Sequence, residues 1–150
     1  MSETSAVVLE ATGVTRLFDV SRPWLQRVLV GEKRRHLRAV DDVSFAIPRG
    51  TTLALVGESG CGKSTVARLA VGLYGPSSGD IRFEGQALSA ARSQAALRRR
   101  MNMIFQDPYA SLNPRWRVRD IVAEPIRAFR LLSSAAEIDA RVGELLTQVG

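Results

Sequence analysis

Nine consecutive residues carry the clearest chemistry in this sequence: Gly57, Glu58, Ser59, Gly60, Cys61, Gly62, Lys63, Ser64 and Thr65. Glycine admits backbone angles closed to other residues and lets main-chain N–H groups come close to a ligand. Successive N–H groups in such a loop form a concave nest for an anion, and a helix that starts directly after it adds the positive end of its dipole. Lys63 supplies a mobile cation for β- and γ-phosphates, Ser64 a hydroxyl for a magnesium ion, and Thr65 a second hydroxyl near the α-phosphate. The spacing Gly57-x-x-x-x-Gly62-Lys63-Ser64 is the Walker A phosphate loop. Glu58, Ser59 and Cys61 read as spacers whose main chain matters more than their side chains. The competing readings are a chance match in a glycine-rich turn and, for Cys61, a reactive thiol beside a positive site.

In the P-loop arrangement the phosphate loop sits between a buried strand and a helix. The short apolar run over residues 51–56 predicts a strand buried on both faces. Residues 63–73 contain one charged side chain after the lysine, Arg68, and predict a helix buried nearly all round. Upstream, residues 7–9 and 14–18 read as an opening strand. Val43, Phe45 and Ile47 alternate with Ser44 and Ala46 as a half-buried strand, closed by a turn at Pro48-Arg49-Gly50. Between them, residues 21–38 form a basic, irregular excursion holding His36, which reads as a solvated loop residue, and Trp24, which reads as surface packing. Downstream, residues 81–84 predict a strand with a turn at Gly85, residues 93–100 a short basic helix, and residues 101–105 a further strand running into Gln106. Asp107 reads as a turn residue before Pro108. Ser134-Ala135-Ala136-Glu137 is a capping box, opening a helix whose apolar face is Ile138, Val142, Leu145, Leu146 and Val149.

The 150-residue length suits one modest domain, and 45% hydrophobic with 24% charged residues is ordinary for a globular chain. No apolar run is long enough to span a bilayer, and the first residues lack the pattern of a secretory signal. A single cysteine makes no internal disulfide, which fits a reducing compartment. The net charge of +6 is spread over several segments. A solvated face or a phosphate-rich ligand accounts for it as well as nucleic acid does.

The loop GESGCGKST resembles the form found in ATP-binding-cassette (ABC) ATPases, and its neighbours extend the likeness. The stretch GPSSGDIRFEG at 75–85 resembles the family's turn and strand after the phosphate-loop helix. Met103-Ile104-Phe105-Gln106 resembles its Q-loop, and Gly13 to Phe18 the segment carrying its adenine-stacking aromatic. QDPYASLNPR at 106–115, IVAEPI at 121–126 and the basic excursion resemble the ATP-binding subunits of oligopeptide/dipeptide importers.

The resemblance implies an α/β fold: a P-loop NTPase core with an antiparallel N-terminal β layer and the start of a helical subdomain. Residues 1–106 would hold the β layer, core and Q-loop, and 107–150 the beginning of the helical subdomain. It implies ATP and Mg2+ as ligands, Phe18 as the adenine platform (against a core phenylalanine), and Gln106 as a residue reaching magnesium and orienting the attacking water. It also implies transmembrane permease subunits as partners, met through residues 111–129 with Pro114 and Pro125 shaping the ends of that stretch. A second ATP-binding subunit and, indirectly, a solute-binding protein complete the set, on the cytoplasmic face of the inner membrane, with no nucleic acid expected. The family's signature loop, Walker B carboxylates and switch histidine do not occur in residues 1–150. The expectation is therefore an N-terminal portion of a longer ATPase, without turnover on its own. The rivals are a non-transporter ABC ATPase, favoured slightly by the basic charge and opposed by QDPYASLNPR, and a non-hydrolysing nucleotide-binding fragment.

Overall fold

A computed structural model describes residues 6–23, 26–27, 31, 33–89, 97, 99–107 and 109–150. Trp24, Pro108 and most of the basic helix expected over residues 93–100 lie outside the described residues. The chain divides into two compact units, Met1–Asn102 and Met103–Gly150.

The first unit is built on an antiparallel sheet in the order β2-β1-β3-β4, formed by β1 (Val7–Asp19), β2 (His36–Pro48), β3 (Ser78–Phe83) and β4 (Gln86–Ala87). β1 is the central partner: Ala11 sits opposite Phe45 of β2 and Ile81 of β3, and Phe18 opposite Leu37. Alternation puts Leu9 and Ala11 of β1 and Ile81 and Phe83 of β3 on one face. A register shift between Ala11 and Val14, at Gly13 with φ +58°, returns Val14 to that face. These residues, with Val40, Leu69, Leu88 and Leu97, are the buried core.

Helix α1 (Lys63–Ala70) lies on this core through Leu69, with Val66 and Ala70 half-buried beside it. The helix is amphipathic: Ser64 and Ala67 are exposed, which corrects the expectation of burial all round. It also ends earlier than residue 73. Gly72 takes a left-handed φ of +73°, its N–H donates to Leu69 O, and the Leu73 N–H donates to Arg68 O. This 6→1, 5→2 pair is a Schellman stop.

Two expected strands do not form. Residues 51–56 and 101–105 have no ladder partner among the described residues. Leu53 and Leu55 are each 49% exposed, Val56 90% and Ile104 87%. An apolar run becomes a doubly buried strand only between paired neighbours with layers on both faces, and among the described residues these segments have no paired neighbour. His36 begins β2 opposite Asp19 and is exposed, so it belongs to a strand end rather than to the loop.

The second unit contains a 3₁₀ turn (Tyr109–Ser111) and two helices, α2 (Val118–Ala128) and α3 (Ala135–Val149). Its own core is Ala123 and Ile126 against Ile138 and Val142. The capping box forms: Ser134 Oγ accepts from the Glu137 N–H, and Glu137 Oε2 accepts from the Ser134 N–H, both at 3.1 Å. Leu145 is half-buried, whereas Leu146 and Val149 are exposed. Pro125 lies inside α2 rather than at its end. A proline there removes one backbone donor, but the turn around it is held by the packing of Ala123 and Ile126. The helix closes instead at Arg130, left-handed at φ +51°, with the Leu131 N–H donating to Ile126 O. Arg119 Nε donates to Asp139 Oδ1 at 2.8 Å and ties the two helices at the surface. Among the described residues, no helix is long and apolar enough to cross a membrane.

Candidate functional site

The phosphate-loop residues occupy the turn that leads into α1. Residues 57–61 are exposed, Gly62, Lys63 and Thr65 half-buried, and Ser64 exposed. Gly62 is the N-cap, left-handed at φ +97°, and has no side chain with which to cap the helix. The first helix hydrogen bond runs from Val66 N–H to Gly62 O at 2.9 Å. The main-chain N–H groups of Lys63, Ser64 and Thr65 therefore have no intrahelical acceptor. The first turn also has no acidic residue to offset the positive helix end.

Two features shape the loop. A Cβ on Gly62 would lie 2.4 Å from the carbonyl oxygen of Ala39 in β2, so the loop is pressed against that strand. A Cβ on Gly57 would lie 2.8 Å from Cys61 Sγ, so the two ends of the turn also close on each other. Lys63 folds back over it: its ammonium donates to Gly57 O at 2.8 Å and to Glu58 O, with Cys61 Sγ 3.6 Å away. Glu58 thus contributes a main-chain carbonyl, and Cys61 lies beside the lysine. Uncapped backbone donors at the helix start, an uncompensated helix end and a primary ammonium fit a polyphosphate. The Ser64 hydroxyl is exposed at the same helix start and has the hard oxygen that magnesium takes.

Phe18 stands apart from the buried core cluster, half-buried near the end of β1. Its ring meets the Tyr74 ring edge-on, with centroids 5.5 Å apart and planes at 78°. The guanidinium of Arg16 lies 4.7 Å from its centroid. Tyr74 also accepts from Arg68 of α1, at 3.4 Å. Phe18 is thereby connected, through Tyr74, to the helix that Lys63 opens. Neither Arg16 nor Tyr74 is marked by a motif in the sequence. The signal for Arg16 was its place two residues before Phe18 in a strand; Ala39 offered none.

Gln106 belongs to the second unit, at an exposed bend after the extended residues 101–105, and Asp107 is exposed beside it. In the same unit Trp116 is exposed, next to Arg115, Arg117, Asp120 and Arg127 around a surface recess of about 360 Å³. Among the described residues there is no cluster of three or more His, Cys, Asp or Glu side chains that would hold a metal by themselves.

The family model described as "ABC transporter" matches residues 40–150. The chain is 49% identical over 120 residues to the oligopeptide transport ATP-binding protein OppF of Bacillus subtilis, covering 78% of this chain and 39% of that protein. It is 42% identical over 146 residues to the oligopeptide transport ATP-binding protein AppF of the same organism, covering 95% of this chain and 43% of that one. The chain thus spans about two-fifths of the length of these relatives. A solved structure of the ATP-binding cassette MJ0796, a dimer bound to ADP and Pi, shares the fold at a TM-score of 0.69 and 21% identity, over 93% of this chain and 56% of that one. The α/β fold of ABC ATPases, with its antiparallel N-terminal sheet, is therefore present, and the chain belongs to the ABC transporter family.

Proposed function

We propose that Gly57, Glu58, Ser59, Gly60, Cys61, Gly62, Lys63, Ser64 and Thr65 bind the triphosphate of Mg-ATP, with Phe18 as the platform for adenine. The observation that carries this reading is the start of α1: left-handed Gly62, uncapped main-chain donors and the Lys63 ammonium drawn over the loop. Lys63 would exchange its loop carbonyls for phosphate oxygens, a charge-assisted replacement that favours the ligand. Ser64 would hold the metal, whose charge would help neutralise the phosphates; Gln106 is assigned a share in that and the orienting of water on the family resemblance alone.

At the level of the whole protein, the reading is an ATPase subunit that drives uptake of oligopeptides, dipeptides or similar small solutes. The names of the two relatives support this cargo class. Its partners would be transmembrane permease subunits, met through residues 111–129, a second ATP-binding subunit and, indirectly, a solute-binding protein. It would sit peripherally at the cytoplasmic face of the inner membrane. Residues 1–106 would carry the β layer and nucleotide core and 107–150 the beginning of the helical subdomain.

Titration calorimetry with Mg-ATP tests the site. Lys63→Ala is expected to weaken binding by about tenfold or more, the loss of one charge-assisted contact. Lys33→Ala, an exposed residue in the β1–β2 connection, is expected to leave it unchanged. Equal affinities for the two variants would remove the phosphate-loop assignment.

A further inference from the structure

The Arg16 guanidinium lies against two rings that also touch each other. It is 4.7 Å from the Phe18 centroid and 5.6 Å from that of Tyr74. Nη1 donates to Gly75 O at 2.7 Å, in the turn after α1. The Nε–H is buried and has no acceptor among the described residues. An ordinary surface arginine avoids that loss by pointing its whole guanidinium at water. Arg16 is held here by one hydrogen bond and two ring faces. The Arg68 guanidinium also lies 5.8 Å from the Tyr74 ring and donates to its hydroxyl. The series Arg68, Tyr74, Phe18 and Arg16 thus runs from α1, the helix that follows the phosphate loop, to the end of β1.

We propose that Arg16 is a positioning residue for the nucleotide base: it holds the Phe18 ring by one face and leaves the opposite face for the purine. This rests on the reading of Phe18 as the adenine platform. Phenylalanine on a half-exposed strand end has no polar atom to fix its rotamer, and a ring that must be ordered during binding costs affinity. Arg16 orders it beforehand from one side, while Tyr74, edge-on at 78°, blocks rotation. Because Tyr74 is bonded to Arg68 of α1, the ring is also set in place relative to the helix whose first turn faces the phosphates.

The test separates base from phosphate by titrating the full chain with Mg-ATP and with magnesium tripolyphosphate. Arg16→Met is expected to weaken ATP by roughly two- to fivefold, the scale of one exposed cation–π contact, and to leave tripolyphosphate unchanged. Arg16→Lys, which keeps the charge without the planar fork, is expected to give a smaller loss of the same kind. Phe18→Ala is the reference and should weaken ATP alone. If Phe18→Ala shifts the ratio of the two affinities and neither Arg16 variant does, the role of Arg16 is overturned while the platform stands. If Phe18→Ala leaves the ratio unchanged, the platform falls and the role of Arg16 with it. An equal loss of both ligands in the Arg16 variants would mark a purely structural residue and also overturn the proposal. Should Arg16→Met fail to fold, Arg16→Lys decides by the same ratio.

Discussion

Two glycines of the phosphate loop allow strain and steric overlap to be measured separately. Gly60 and Gly62 are both left-handed, at φ +83° and +97°. An alanine at Gly60 would meet nothing within 4 Å, so its cost is conformational alone. For an L-residue forced into that region this is about 1–2 kcal/mol. At Gly62 the added Cβ would also stand 2.4 Å from Ala39 O and 3.8 Å from Val40 Cγ2. The first contact is about 1 Å inside ordinary van der Waals distance, against backbone that belongs to a paired strand and yields little. Overpacking of this kind adds about 1–3 kcal/mol. Gly62→Ala is therefore expected to destabilise by about 2–5 kcal/mol, a large share of a typical domain stability of about 5–15 kcal/mol. Urea unfolding of the two variants, followed by circular dichroism, reads the difference directly. Should Gly62→Ala lie within about 0.5 kcal/mol of Gly60→Ala, the approach of β2 to the loop does not set the backbone of Gly62, and the steric argument fails.

Other outcomes follow from the ion pairs and helix ends. Glu84 accepts from Arg100 at 2.8 Å and from Arg49 at 2.6 Å, and the Arg100 bond, reinforced by Arg49 against the opposing effect of burial, holds its carboxyl below the ordinary glutamate value. Since the folded pKa lies below the unfolded one, the stabilisation is complete above the ordinary value of about 4.3 and is lost as pH falls through the lower folded value. Glu84→Gln should flatten that part of the acid limb in urea midpoints measured from about pH 6 downward, and an unchanged limb would count against the pair. Ser134→Ala removes one half of the α3 capping box and is expected to cost about 1 kcal/mol, read as a lowered thermal midpoint of the second unit. Arg130→Gly relieves a left-handed arginine at the close of α2 and is expected to raise the same midpoint, by about 0.5–1 kcal/mol of stability.

The elements that could be read from the sequence are those whose signals are local. The opening strand, the alternation at Val43, Phe45 and Ile47, the strand before Gly85 and the Ser134 cap all appear where pattern and turn chemistry placed them. Each is signalled by residues within a few positions of one another, even where, as in β1, the ladder partners lie far along the chain. Residues 51–56 and 101–105 carry strand composition, yet a ladder requires a neighbouring strand that composition cannot supply, and none pairs with them among the described residues. Helix ends divide in the same way. Gly72 stops α1 although the helical pattern runs on to residue 73, while α2 closes on Arg130, whose type gives no warning of a left-handed angle. At Pro125 the opposite holds: the residue is a helix breaker by type, yet it lies inside α2, where Ala123 and Ile126 are packed in the core.

The site divides along the same line. Lys63 reaches Gly57 and Glu58 within one turn of chain, so the loop could be recognised from nine residues. What shapes the loop from outside is distant in sequence: Ala39, twenty-three positions before Gly62, acts only through its carbonyl oxygen, an atom every residue has. No choice of side chain at position 39 could have marked it. Tyr74 lies between these cases. Its position past the end of α1 names no partner, yet the Schellman stop at Gly72 turns the chain so that the ring reaches Phe18 of β1. A glycine that ends a helix early and a tyrosine two residues later thus make one device, and its consequence for Phe18 becomes legible only once β1 and the turn after α1 are packed together.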